Sequence, residues 1–276
     1  MKEVTISRPD GARIRIHDHA DRVAGGSGNA PAIVLSNSLA TDASLWADVV
    51  ERLGARYRLV AYDTRGHGAS HAPSNRSSFA ELRDDLFAVM DATGLERAFV
   101  AGISLGGMTG LHCALKAPER VLGLVACNCR ASIDAAGIAG WEQRLQVLRD
   151  GGIDALAAVT LERWFAPEYR EANPRVMERV RAMIRTTSPA GYEACVRAIQ
   201  AIDLLGKIPG ITVPVLLVAG AQDGAAPPAA MQGMADAIPN SRLEVLDPCG
   251  HLSSVQRPAE LASLIDGFVS SRSGGK

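Results

Sequence analysis

The chain has little of what marks several protein classes. Its 276 residues include five cysteines, an odd number. Cys127 and Cys129 stand too close together and have no second pair, so no metal-ligand spacing arises. The five read as reduced, mostly buried thiols of a cytoplasmic protein, not as a disulfide framework. The formal net charge is only −1, which gives no electrostatic case for nucleic acid or for a charged membrane surface as partner. No apolar run approaches the roughly 20 residues that span a bilayer. Met1-Lys2-Glu3-Val4-Thr5 lacks the apolar region of a signal peptide. Gly25-Gly26-Ser27-Gly28-Asn29 is a flexible connection with no phosphate-binding lysine after it. There are no internal repeats.

What is present has the rhythm of an α/β protein. Val4–Arg8 and Ala12–His17 alternate around Pro9-Asp10-Gly11, which predicts an opening β-hairpin. Ala32-Ile33-Val34-Leu35 is continuously apolar, as in a strand covered on both faces. A helix is expected near Asp42–Leu53, a strand at Tyr57–Tyr62, and a helix over Phe79–Met90. Strands follow at Phe99–Ile103 and Val121–Cys127. The alternation predicts a mostly parallel sheet with helices on both faces. From Asp134 to Leu205 no strand pattern appears. Pro167, Pro174 and Pro189 punctuate several helical spacings there. The rhythm resumes with a strand at Val213–Gly220, a helix near Pro228–Ile238, a strand at Arg242–Leu246 and a helix at Ala259–Phe268. The expected organisation is therefore a core of residues 1–133 and 206–276 interrupted by an all-helical cap, 134–205. The Ser- and Gly-rich tail after Ser270 is expected to be disordered.

The centre of the chain is Phe99-Val100-Ala101-Gly102-Ile103-Ser104-Leu105-Gly106-Gly107-Met108. An apolar strand ends in G-x-S-x-G and passes at once into a helix, the form of a nucleophile elbow. Gly102 and Gly106 leave room for the turn to close. The same pattern also fits an ordinary strand-to-helix turn with Ser104 as N-cap. A nucleophilic serine needs a base, and an acid to orient that base. Asp223 and His251 follow in that order, each just past a strand, on the edge where parallel sheets place their chemistry. Singly, Asp223 also fits a turn aspartate before Gly224, and His251 a helix N-cap. His67 lies in a turn near the same edge but not where the base belongs. Asp63 and Asp247 are fallback acids, and Asp63 also suits its own turn. An oxyanion needs two donors. The Leu105 N–H, after the nucleophile, is one, and the Leu39 N–H in Ser36-Asn37-Ser38-Leu39 is the other.

With these pieces assembled, the chain resembles the 3-oxoadipate enol-lactonases of the α/β-hydrolase superfamily. The likeness runs through L-S-N-S-L-A-T-D-A-S-L-W (35–46), Y-D-T-R-G-H-G-A-S (62–70), G-I-S-L-G-G-M-T-G (102–110), R-W-F-A-P (163–167), T-T-S-P-A-G-Y-E-A-C (186–195) and G-H-L-S-S-V-Q-R-P (250–258). The resemblance implies the α/β-hydrolase fold and hydrolysis of the enol-lactone to 3-oxoadipate in aromatic degradation. It implies Ser104, Asp223 and His251 as the triad, and no cofactor. Two stretches depart from the family. C-N-T-A-A-K-I becomes Cys127-Asn128-Cys129-Arg130-Ala131-Ser132-Ile133, which moves the basic residue. D-x-A-T-P-P becomes Asp223-Gly224-Ala225-Ala226-Pro227-Pro228, which lacks the threonine.

The partner so implied is a small anionic lactone. Its carboxylate calls for a cation in an otherwise apolar pocket. The insertion supplies Arg130, Arg144, Arg163 and Arg185, with Trp141 and Trp164 as walls, and Arg130 and Arg144 lie nearest the core. A homo-oligomer is compatible with the sequence. The alternative activities are a general carboxylesterase or lactonase, or a cofactor-free perhydrolase. A non-catalytic binding protein on the same fold is the reading from another class.

Overall fold

The computed structural model describes residues 1–74 and 76–273. Eight strands form one sheet: β1 (Lys2–Ser7), β2 (Arg13–Asp18), β3 (Ala32–Ser36), β4 (Arg58–Tyr62), β5 (Ala98–Ile103), β6 (Val121–Cys127), β7 (Val215–Gly220) and β8 (Ser241–Leu246), in the order β1-β2-β4-β3-β5-β6-β7-β8. The β1–β2 hairpin and its junction with β4 are antiparallel, and every other pairing is parallel.

The helices of the sheet are α1 (Ala47–Leu53), α2 (Phe79–Ala92) and α3 (Leu105–Lys116). Four more, α4 (Ala135–Trp164), α5 (Pro167–Ala172), α6 (Pro174–Arg185) and α7 (Pro189–Gln200), lie between β6 and β7. α8 (Pro228–Ala237), α9 (Ser253–Gln256) and α10 (Pro258–Ser273) complete the chain. No helix among the described residues is long and apolar enough to cross a membrane.

Strand periodicity explains why the central strands are apolar throughout. Successive side chains point to opposite faces. Phe99 and Gly123 meet Phe268 of α10, with the two phenyl rings edge to face at 6.2 Å. Their neighbours Val100 and Leu124 meet Gly110 of α3 on the other face. Both faces are thus dry, and β3, β5 and β7 are buried at every position.

Two helices differ from the sequence expectation, and the prolines fall at the breaks it placed. The helix expected at Asp42–Leu53 starts as a tight turn, Ala43–Trp46, because the Asp42 carboxylate accepts the Ser44 N–H at 2.9 Å and fixes that entry. Pro167, Pro174 and Pro189 start α5, α6 and α7, where a missing N–H costs nothing. α10 extends through Ser273, so residues 271–273 of the tail expected to be disordered are helical; the remainder, Gly274–Lys276, lies outside the described residues.

The turn after β4 anchors the helical segment. Arg65 is buried and bidentate to Asp85, with Nε at 2.7 Å and Nη2 at 2.9 Å, and also donates to Asp10 at 2.8 Å. Asp63 orders the same turn by accepting the Ala43 and Ala69 N–H groups, both at 2.8 Å. Gly66 then packs backbone to backbone against Gly191 of α7; a Cβ on Gly66 would fall 2.4 Å from the Gly191 Cα. The Gly66 carbonyl accepts the Ser188 N–H at 2.9 Å. The insertion's T-S-P-A-G-Y stretch is therefore a docking contact with the core.

The elbow is closer still. A Cβ on Gly102 would lie 2.3 Å from the Gly106 carbonyl carbon, and one on Gly106 would lie 2.2 Å from the Ser36 oxygen. Both clashes are with backbone, which cannot rotate away. Gly106→Ala is expected to lower unfolding free energy by about 3 kcal/mol or more, the upper range of overpacking. Gly267→Ala, an exposed helical position with open space around it, should raise it by roughly 0.5–1 kcal/mol. Denaturant midpoints of the two variants check both signs.

Candidate active site

Ser104 sits between β5 and α3 at φ 54°, ψ −113°. This positive φ is strained for a residue with a Cβ. Two backbone bonds hold it. The Ser104 N–H donates to the Cys127 carbonyl, and the Ser104 carbonyl accepts the Met108 N–H, both at 2.9 Å. Its side chain makes no capping bond, so the N-cap alternative is not what the structure adopts. The hydroxyl instead faces a cavity of about 240 Å³.

His251 lines the same cavity. It follows β8 and precedes α9, whose N-cap is Leu252, not His251. Its Nδ1 lies 2.8 Å from Asp223 Oδ2. Its backbone N–H donates to the Trp164 carbonyl at 2.9 Å, and the Trp164 ring stacks on the imidazole at 5.9 Å. The last residue of α4 thus fixes His251 from two directions.

Asp223, after β7, is buried and stands behind His251, away from the cavity wall. Its carboxylate is ringed by donors. Oδ1 accepts the Ala225 N–H at 2.7 Å and the Ala226 N–H at 3.0 Å, the expected turn role. Oδ2 accepts from His251 and from Asn128 Nδ2 at 3.0 Å. Burial works to raise the Asp223 pKa. The His251 charge and these hydrogen bonds outweigh it and hold the carboxyl below the usual 3.8.

Asn128 is a residue the sequence reading passed over. It is fully buried at the end of β6, with φ 50°. Its amide also donates to the Gly250 carbonyl at 3.1 Å, so it ties the Asp223 loop to the His251 loop. The available signal was the C-N pair opening residues 127–133, a stretch read there for its basic residue.

The remaining candidates divide. Leu39 lines the cavity, and its N–H has no partner among the described residues. Leu105 does not line it. Its side chain is buried in the core, and only its backbone N–H, at the first turn of α3, stands beside Ser104. Trp141, Arg144, Trp164, Arg130 and Arg163 all line the cavity. Arg144 lies 4.6 Å over the Trp141 ring, and burial lowers its pKa. Arg130 Nε donates to the Ala225 carbonyl at 2.6 Å. Arg185 is excluded: it points to solvent and pairs with Asp154 at 2.6 Å and Glu178 at 3.5 Å. His67 is buried, with Nδ1 3.0 Å from the Arg65 carbonyl, and burial lowers its pKa. Asp63 serves its turn. All five cysteines are free and buried.

Residues 31–258 match the alpha/beta hydrolase fold model. The chain belongs to the alpha/beta hydrolase fold family. Among its relatives, this hydrolase-fold chain is 35% identical to 3-oxoadipate enol-lactonase 2 of Acinetobacter baylyi, over 84% of this chain and 86% of that one. It is 30% identical to a putative carbamate hydrolase of Azorhizobium caulinodans, over 86% of this chain and 90% of that one. The crystal structure of the enol-lactonase from Burkholderia xenovorans LB400 superposes with a TM-score of 0.88 at 36% identity, covering 94% of this chain and 97% of that one.

Proposed function

We propose that this hydrolase cleaves 3-oxoadipate enol-lactone, giving 3-oxoadipate in the degradation of aromatic compounds, with Ser104 as nucleophile, His251 as base and Asp223 as orienting acid. One observation carries the reading. Ser104 and His251 open on a single cavity, and the far nitrogen of that imidazole is bonded to a buried carboxylate. The likeness to two enol-lactonases supports the choice of substrate.

The chemistry follows from the parts. Asp223 holds the proton on Nδ1, so Nε2 is free to take the Ser104 proton. The alkoxide attacks the lactone carbonyl. The N–H groups of Leu39 and Leu105 stabilise the oxyanion. The ring C–O bond breaks and releases an enolate within the same molecule; the enolate takes the proton that His251 holds and tautomerises to the ketone, which leaves His251 neutral again. Water then gives a proton to His251 and attacks the acyl-enzyme, and Ser104 leaves reprotonated. No electron transfer is involved. Residues 134–205 act as a cap whose Arg144 and Trp141 receive the substrate carboxylate; Arg130 is partly committed to the Ala225 carbonyl.

The test is a direct comparison of the enol-lactone with p-nitrophenyl acetate. The lactone should be preferred in kcat/KM by roughly a hundredfold or more, because the ester leaves the cavity's half-buried cation unmatched. A preference for the acetate would establish the general carboxylesterase alternative in its place.

A further inference from the structure

α4 is two helices joined at Gly152, whose φ of 69° and ψ of −168° break the helical path. Each half turns one face to the same cavity. The first half contributes Trp141 and Arg144; the second contributes Thr160, Arg163 and Trp164. Spacings of three and four residues place each set on one side of its helix. The cavity therefore receives a guanidinium and an indole from each half, of which Arg144 and Trp141 are stacked on each other. A lactone bearing one carboxylate occupies only one of the two guanidinium groups.

The second set is incomplete as it stands. Thr160 is 6% exposed, and its hydroxyl lacks a hydrogen-bond partner among the described residues. A buried hydroxyl in that state is unfavourable unless a ligand completes it. Arg163 has no carboxylate or carbonyl within bonding distance among the described residues; desolvation and the nearby Arg144 charge pull its pKa down to about 10, which leaves it charged at neutral pH. Asp134, which also lines the cavity, accepts the Gly137 N–H at 2.8 Å as the N-cap of α4. The set adjoins the reacting end, because Trp164 stacks on His251.

We propose that Thr160 and Arg163 form a second anion subsite beside His251, which takes the carboxylate released from Ser104, so that the cavity is built for dicarboxylates. The origin of that carboxylate rests on the hydrolysis proposed above; the binding does not. Hydrolysis adds one water, breaks the Ser104 ester C–O bond, restores the serine hydroxyl and sends one proton to solvent. A monoanion becomes a dianion, and its two ends face Arg144 and Arg163.

Calorimetric titration with adipate and with hexanoate, which offer the enzyme no ester to cleave, tests the subsite. The wild type should bind adipate about tenfold more tightly or better, as expected for one further charge-assisted contact. Arg163→Gln should bring the ratio of the two affinities close to one. Arg163→Lys should restore part of it, and Thr160→Val should lower it by about threefold. A wild type that does not distinguish the two acids overturns the proposal. So does a folded Arg163→Gln variant whose ratio is unmoved together with an unmoved Thr160→Val. A protein that prefers adipate yet opens no lactone would sink the proposed reaction and leave the subsite standing. Lactone turnover without that preference would do the reverse.

Discussion

Ser104→Ala is expected to lower kcat on the enol-lactone by roughly 10⁴-fold or more, about 5.5 kcal/mol of transition-state stabilisation. The argument is one of separability. The backbone at Ser104 is held by its own N–H and carbonyl, bonded to Cys127 and Met108. The hydroxyl caps nothing. Removing it leaves no buried donor or acceptor stranded, and alanine accepts the same positive φ at about the same cost. Thermal unfolding should therefore match the wild type while turnover collapses. What remains would come from the Leu39 and Leu105 donors and from binding alone. A variant that keeps a tenth of wild-type turnover would remove Ser104 from the mechanism. Loss of activity with a matching loss of stability would show only that the elbow had been disturbed. A serine-reactive phosphonate should label the wild type and not the variant.

The readability of this chain varies with the range of the forces involved. The sheet was legible because β3, β5 and β7 are buried on both faces, which forces an uninterrupted apolar run such as Val215–Gly220. The elbow was legible because backbone crowding at Gly102 and Gly106 admits only glycine, and that demand shows in the letters. Asp223 and His251 were legible as a pair because each follows a strand on one edge. Asn128 was not. Its work is a hydrogen bond to a residue 95 positions away, and nothing local distinguishes it from any polar residue ending a strand. The arginines show the same limit. Arg163 and Arg185 look alike as letters in helical spacing. Arg185 is drawn outward by Asp154 and Glu178, and Arg163 lies on the part of α4 that lines the cavity. One helix was misjudged at its start, where Asp42 decides the path through a local bond that periodicity does not see.

Asp223→Asn should cost nearly as much as loss of the serine, roughly 10³- to 10⁴-fold in kcat at neutral pH. All four contacts to the Asp223 carboxylate come from donors: Ala225, Ala226, Asn128 and His251. Only an ionised, acceptor-only group satisfies them together. An asparagine turns one acceptor into a donor. If its NH₂ takes the Oδ2 position, His251 must carry its proton on Nε2, the atom that has to accept from Ser104. If it takes the Oδ1 position, it opposes two fixed backbone N–H groups. Asn128→Ala is milder, because Asp223 keeps its charge and its bond to His251; a loss of about tenfold is expected. The pH dependence separates a charge effect from a packing effect. The folded pKa of Asp223 lies below 3.8, so its ionic stabilisation is fully present above that value and is lost as pH falls through the lowered one. Melting temperatures followed from about pH 5 down to about pH 3 should fall less steeply in Asp223→Asn than in the wild type. Equal slopes would mean that the carboxylate's charge contributes nothing to the fold, and an Asp223→Asn enzyme with near-normal kcat would mean that His251 does not depend on it.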